Sequence, residues 1–372
     1  MTSCTGIERT CHDSGPERDR TARPRVAPGR RQTRRRSATL SRVIRLALLG
    51  FWHVHAKDYA AEARAHPDAD IVAAWDEDPG RAEAGAQAWG VPRHDDLHEL
   101  LARPDIEGVI VTTRTTAHRE VIEAAANAGK HVFTEKVLAL TPTDARHIVE
   151  TVQRAGVVLT VSLPRLTHGY TTAILGVLAS GELGEVTLVR CRLSHDGAVG
   201  HRWLPERFFE PGEAGGGALV DLGCHPLYLT RLFLGAMPEA VQASYGRVTG
   251  HAVDDNAAAL LRLASGALGI AETGFVNPAS PFTIEVHATA GSLLYGTPGP
   301  TLLTRIGAGS DAASWTEVPI PASGPSPFEQ WIGHIQDGTD AAQNVAMALD
   351  LTTLVDAADR SARTGATVAI EG

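Results

Sequence analysis

The stretch Ile44-Arg45-Leu46-Ala47-Leu48-Leu49-Gly50-Phe51-Trp52-His53-Val54-His55-Ala56 decides the fold. A short apolar run ends at a glycine, and an alanine-rich segment of helical length follows at once. That is the first step of a βα unit. The same step recurs downstream. Strands are expected at Ile44–Leu49, Ile71–Trp75, Gly108–Val111, His131–Thr134 and Val157–Ser162. Helices are expected near Ala56–Ala65, Pro79–Trp89, Ala117–Ala128 and Thr143–Ala155, with Gly90, Gly129 and Gly156 placed to end three of them. Strands alternating with helices feed a parallel sheet, so residues 43–163 read as a doubly wound α/β domain.

After Leu163 the rhythm changes. The strand-like runs Glu185–Ser194, Asn256–Leu263, Ala267–Gly274, Phe282–Thr289 and Leu293–Tyr295 are mostly joined by turns. They predict an open, mostly antiparallel sheet in a second, α+β domain over 164–372. One helix, Ala218–Leu234, interrupts the strands, and Phe328–Gln336 and Ala341–Ser361 close the chain. The segment Thr297–Ser326, rich in Gly, Pro and Ser, reads as irregular.

The charge divides the chain again. Of 34 basic and 43 acidic residues, the first 42 positions hold 11 Arg and 4 acids, leaving 23 and 39 in the remainder. Residues 1–42 are therefore expected to form a disordered, Arg-rich leader. Thr33-Arg34-Arg35 before an apolar run suggests an export signal, but that run is short, broken by Arg45, and better used as the first strand. A start of translation near Val43 is a further reading. The acidic body argues against a general nucleic-acid surface. No apolar stretch reaches the roughly 18 residues that span a membrane. Cys4, Cys11, Cys191 and Cys224 give neither a zinc pattern nor a disulfide framework, so a reduced, cytoplasmic setting is expected.

Three places carry chemistry. The first is the turn Gly50–His55. A dinucleotide-binding turn reads G-x-G-x-x-G, but Trp52 and His55 stand at the second and third glycine positions and only Gly50 is kept. His53 and His55 read as polar residues at a helix start, one of them near the cofactor phosphates. Asp76 lies 21 residues beyond His55, where an acid accepts ribose hydroxyls. With Glu77 next to it, this favours NAD over NADP, and an N-cap for the helix at Pro79 is a compatible role. The pair His53-x-His55 also resembles the strand-end H-x-H of metal-dependent barrel hydrolases, but the second half supplies no further βα units, so no metal is expected.

The second place is Gly129-Lys130-His131-Val132-Phe133-Thr134-Glu135-Lys136. It sets a lysine at the end of a buried parallel strand, where ligands bind in such sheets. Only Lys57, Lys130 and Lys136 occur, against 31 Arg. A lysine there suggests a group chosen for compact charge, or one that merely snorkels out of the strand end. The third is Gly215-Gly216-Gly217-Ala218-Leu219-Val220-Asp221-Leu222-Gly223-Cys224-His225. On one helix, Asp221 and His225 would share a face as acid and base, unless Asp221 is only a cap and His225 incidental. Pro226 predicts a kink or an offset of one turn. Cys224 reads as packing.

In these motifs the chain resembles the Gfo/Idh/MocA oxidoreductases, over about Val43 to Val368. The resemblance rests on the first turn, Thr113 with His118, Ala128-Gly129-Lys130-His131-Val132, Glu135-Lys136, and Asp221-x-Gly223-x-His225. It also takes in Asp255-Asn256, Ala290-Gly291-Ser292-Leu293 and Arg360-Ser361-Ala362-Arg363-Thr364-Gly365. It implies a Rossmann domain, a second domain whose open sheet often builds a dimer or tetramer, and hydride exchange between NAD(P) and a sugar, cyclitol or related polyol. It further implies that Lys136, Asp221 and His225 are catalytic, and that Gly50, Phe51, Trp52, His53, Asp76, Thr113, His118, Glu135 and Lys136 hold the cofactor. Arg114 and Val137 stand where the family usually has proline.

In the expected reaction His225 takes the hydroxyl proton, Asp221 steadies its imidazolium, and Lys136 stabilises the alkoxide. Arg165, His195 and Trp203, with Arg190 and Arg192, are candidate substrate contacts on or beside the sheet. The acidic body favours a neutral polyol over a sugar phosphate. The resemblance also admits NAD-dependent glycosidases and non-catalytic sugar-sensing or NAD-sensing regulators of the same fold.

Overall fold

The computed structural model describes residues 42–307 and 314–370. The leader expected over 1–42 therefore falls, except for Arg42, outside the described residues.

The first sheet contains β1 (Ile44–Leu49), β2 (Ala69–Trp75), β3 (Gly108–Val111), β4 (His131–Thr134) and β5 (Leu159–Val161). Its order is β2-β1-β3-β4-β5, and every pairing is parallel. Strands buried on both faces must be almost wholly apolar, and β3 and β5 are buried at every position. The crossover helices start and stop on local signals. Helix Pro79–Trp89 has Asp78 as N-cap, accepting the amide of Arg81 at 2.8 Å, and ends at Gly90 with φ +64°. Helix Pro142–Ala155 starts at the N-cap Thr141 and ends at the left-handed Gly156. Helices Ala56–Ala65 and His118–Asn127 complete this layer.

The second sheet contains β6 (Val186–Ser194), β7 (Ala240–Gly246), β8 (Asn256–Arg262), β9 (Leu268–Gly274) and β10 (Thr283–Ala288), then β11 (Gly291–Tyr295), β12 (Leu302–Ile306), β13 (Thr316–Val318) and β14 (Val368–Ala369). Its order is β13-β12-β11-β10-β6-β9-β8-β7-β14, antiparallel except where β6 runs parallel to β9. In β8 burial alternates residue by residue, the signature of a sheet with one face packed and one open. Helices Cys224–Leu234 and Ala342–Thr364 supply buried side chains to the same core.

The C-terminal part of the chain returns to the first sheet. Phe328 and Trp331, on helix Pro327–Asp337, pack with Leu46, Ile110 and Phe133. The Trp331 ring leaves no room at Gly108, where a Cβ would lie 2.9 Å from it. Asn344 accepts from the amide of Val161 and donates to its carbonyl, both at 2.8 Å, and so occupies the polar groups of the edge strand β5.

Several expectations are corrected. β7, β12, β13, β14 and helix Gly169–Ser180 arise where no element was expected, and β12 and β13 lie inside the segment read as irregular. The single helix expected over Ala218–Leu234 is two, Ala218–Asp221 and Cys224–Leu234. The break lies ahead of Pro226. That proline falls in the first turn of the second helix, where a missing N–H costs nothing.

Candidate active site

The site forms along the carboxyl ends of the parallel strands, starting with the turn after β1. Gly50 has φ +91°, and a Cβ there would meet the Thr113 amide nitrogen at 2.6 Å, so glycine is required for both conformation and space. Trp52 is buried and turned into the segment that follows residue 203. Its ring stacks on Phe208 at 4.7 Å, its indole N–H donates to Glu213 at 2.8 Å, and its carbonyl accepts Arg207 Nε at 2.6 Å. Helix Ala56–Ala65 has no side-chain cap at its start. The closely packed Gly50 and the uncapped helix start fit a dinucleotide diphosphate, although two of the usual glycines are missing.

Asp76 follows β2 directly and clamps this turn. It accepts the amides of Phe51 at 2.6 Å and Asp78 at 2.7 Å, and pairs with Arg81 at 2.9 Å. The helix cap is therefore Asp78, not Asp76. Glu77 pairs with Arg114 at 2.9 Å. Each acid behind the expected preference for NAD has an arginine against it, which cancels much of the field that would repel a 2′-phosphate; the residues fit NAD(P).

The centre of the site is a buried cluster of charge. Lys136 Nζ donates to the Asp221 carbonyl at 2.6 Å and to its Oδ1 at 2.8 Å, and His53 Nε2 lies 3.1 Å from the same Oδ1. Glu135 is 1% exposed. Its Oε1 lies 3.4 Å from Lys136 Nζ, 3.5 Å from His55 Nδ1 and 3.8 Å from His53 Nε2, while Oε2 accepts the Tyr59 hydroxyl. Burial acts against charge on every one of these groups, and their mutual attraction decides the outcome. Burial alone would lower the pKa of Lys136, but Asp221 and Glu135 hold it above the ordinary lysine value. Burial likewise pushes Asp221 and Glu135 up, yet Lys136 and His53 carry both below the carboxylate range. Burial wins at His53, whose pKa is lowered; at His55 burial is outweighed by Glu135, and the pKa rises.

The expected Asp221–His225 pair does not form. Asp221 ends one short helix and His225 opens the next, and the break between them sends their side chains to different partners. His225 Nδ1 lies 3.1 Å from the Tyr228 hydroxyl, which also accepts the amide of Arg165 at 3.1 Å. Burial, with Lys136 and Arg165, holds the pKa of His225 well below the ordinary histidine value, so its ring is neutral at pH 7. Lys136, His225 and Arg165 line one cavity of about 250 Å³, together with His55, Tyr59 and Ser162.

Other candidate residues lie elsewhere. His118 is wholly buried, with Nδ1 3.0 Å from the Val137 carbonyl, and so props the backbone after Lys136 rather than facing a ligand. Its pKa falls to about 4 through burial. Thr113 is buried behind Gly50. Trp203 is 52% exposed and donates to Asp196 at 3.2 Å, outside the cavity lining. His195 stacks on Phe275 and does not line the cavity either. Arg190 pairs with Glu272 at 2.8 Å. Cys224 is buried, with its thiol pushed up to about 12 by burial, as packing requires. The sequence motifs assign no role to Tyr59 and Tyr228; the signal that finds them is spacing, Tyr59 four residues after the N-cap His55 and Tyr228 three after His225 on its helix.

Residues 44–163 match the oxidoreductase family with the NAD-binding Rossmann fold, and residues 172–294 match the GFO/IDH/MocA C-terminal domain. A scyllo-inositol 2-dehydrogenase (NAD(+)) of Bacillus subtilis (strain 168) is 30% identical over 264 residues, 68% of this chain and 73% of the relative. A 1,5-anhydro-D-fructose reductase of Ensifer adhaerens is 34% identical over 204 residues, 53% of this chain and 59% of the relative. Among solved structures, a levoglucosan dehydrogenase in complex with NADH and levoglucosan superimposes with a TM-score of 0.76. That match has 22% identity and covers 89% of this chain and all of the other. It shows the fold. Among the described residues no helix is long and apolar enough to cross a membrane. By its two matched domains and the length of its similarity to the Bacillus enzyme, the chain belongs to the Gfo/Idh/MocA family of NAD(P)-dependent oxidoreductases.

Proposed function

We propose that the protein reversibly oxidises a secondary alcohol of a sugar, cyclitol or related polyol. The observation that carries this reading is that Lys136, charged, and His225, neutral, line the same cavity of about 250 Å³. The nicotinamide cofactor, when bound, supplies the hydride acceptor. Gly50, the start of helix Ala56–Ala65 and Asp76 would hold it.

The chain's own residues manage the proton and the charge. Neutral His225 takes the hydroxyl proton at the ring nitrogen away from Tyr228. Tyr228, itself fixed by the Arg165 amide, holds the ring in place. Lys136 donates to the oxygen as negative charge develops, and Asp221 keeps that ammonium charged and aimed. Asp221 therefore acts on the lysine, not on the histidine. The two relatives are named for a cyclitol and for an anhydro sugar, which supports the substrate class.

The test is reduction of NAD and NADP with a panel of polyols. His225→Ala should lower kcat by about 10²–10⁴-fold while dinucleotide binding persists. A variant as fast as wild type would overturn the assignment.

A further inference from the structure

We propose that Arg165 selects a substrate that carries a carboxylate beside its hydroxyls, a sugar acid rather than a neutral polyol. This rests on the hydride-transfer reading above and narrows its substrate class.

The side chain is held ready. β5 ends at Val161, and the short turn Pro164–Leu166 that follows brings Arg165 to the lining of the cavity shared with Lys136 and His225. Its amide donates to the Tyr228 hydroxyl at 3.1 Å and its carbonyl accepts the Thr171 hydroxyl at 2.6 Å, so the backbone is pinned on both sides. The guanidinium carbon lies 4.4 Å from the centroid of the Phe282 ring, and Nη1 donates to the Tyr170 hydroxyl at 3.2 Å. Phe282 and Tyr170 both pack on Tyr295. A planar cation fixed on an aromatic cluster has already given up its rotamer freedom, so it loses little more when it takes up a ligand.

What the guanidinium lacks is a counter-charge. Among the described residues no carboxylate pairs with it, and Nε and Nη2 make no hydrogen bond. The two acids of the site, Glu135 and Asp221, lie against Lys136 instead, at 3.4 and 2.8 Å. The imidazoles nearest to Arg165 in the cavity feel its field. Burial and then Arg165 lower the pKa of His168, and burial, Lys136 and Arg165 lower that of His225, so neither ring competes for an anion with a charge of its own. His55, the third imidazole of the lining, sits beside Glu135. A partly buried cation without a partner is costly to hold unless a ligand answers it. Nε and Nη2 form the edge that takes a carboxylate through two parallel N–H···O bonds. One guanidinium answers one charge, and a phosphate dianion would leave its second charge in the cavity that Glu135 also lines. The acidic balance of the whole body, which favours a neutral substrate, is screened over about 10 Å and does not decide the field inside the cavity.

The test measures equilibrium binding to the full chain by calorimetry, with NADH or NADPH present so that an alcohol cannot be oxidised. D-Gluconate is compared with D-glucitol, D-glucuronate with D-glucose, and D-galacturonate with D-galactose. At least one acid should bind about 10-fold to 100-fold more tightly than its neutral partner, and Arg165→Met should collapse that ratio. Arg165→Lys keeps a charge and loses the fork, so it should keep only part of the ratio; it carries the test where Arg165→Met fails to fold. Equal binding within every pair, no binding by any member, tighter binding of D-glucose 6-phosphate than of the acids, or an undiminished ratio in both variants would overturn the proposal. Supplying NAD or NADP to the same pairs tests the reaction separately. A preference for the acid with no cofactor reduced would overturn the hydride-transfer reading and leave Arg165 as the carboxylate-binding residue.

Discussion

The turn Gly50–His55 and the segment Gly215–Gly223 both carry backbone into the site, yet they depend on glycine differently. In the first turn only Gly50 is irreplaceable, because Thr113 leaves no space beside it. The position held by Trp52 is relieved from outside, by Phe208, Arg207 and Glu213 of the second domain. In the second segment Gly217 is pinned by remote backbone and Gly223 by the preceding helix and a remote side chain. A Cβ on Gly217 would lie 2.0 Å from the Asp254 carbonyl oxygen, and one on Gly223 would lie 2.8 Å from both the Leu219 carbonyl and Thr273. At Trp52 the departure from the motif is accommodated because a neighbouring segment has absorbed the side chain.

Restoring the motif offers the sharpest way to break this comparison. Trp52→Gly brings back a usual glycine but empties a buried stack. It should destabilise the protein by about 3–5 kcal/mol, as large buried aromatics do when truncated. Denaturant unfolding measures this, and a gain in stability would mean that the second domain does not support the turn. Gly217→Ala is smaller as a chemical change, yet the backbone of Asp254 cannot yield. Its Oδ1 and Oδ2 also hold the amides of Gly217 and Leu219, both at 2.9 Å. A loss of about 1–3 kcal/mol is expected, and unchanged unfolding would show that the segment is pliant.

The same contrast explains what the sequence made legible. β1, β3 and β4, and helices Ala56–Ala65 and Pro79–Trp89, have the expected bounds, because their apolar periods, proline starts and glycine stops are local signals. Lys136 could be placed at a strand end for the same reason. The Asp221–His225 pair could not be judged locally. Spacing of four assumes an unbroken helix, and the break is tied to contacts of Gly217 with Asp254 and of Gly223 with Thr273, which come from distant sequence. β14 is two residues long and exists through its pairing with β7, so no run of sequence announces it. His118 fits the family pattern at a cofactor position, but only the packed structure reveals that its ring serves the carbonyl of Val137.

The smallest expected effect tests which partner orients the base. If Asp221 served His225, Tyr228→Phe would be nearly silent in turnover. In the geometry described, that change deletes the hydrogen bond between the imidazole and Tyr228 while keeping the ring of Tyr228 in the core. A hydrogen bond of this kind contributes about 0.5–1.5 kcal/mol, so kcat should fall by roughly 2-fold to 10-fold, with KM for the polyol little changed. The readout must separate orientation from stability. The Tyr228 hydroxyl also accepts the Arg165 amide, and its loss will lower the melting temperature slightly. Turnover measured well below that temperature, with Asp221→Asn beside it, resolves the two. Asp221→Asn should act through Lys136, shifting the alkaline limb of the pH profile as the ammonium loses its counter-charge. Tyr228→Phe should leave that limb in place and change only the height of the profile. An unchanged kcat in Tyr228→Phe would return the orienting role to the acid and undo the contrast between the two segments.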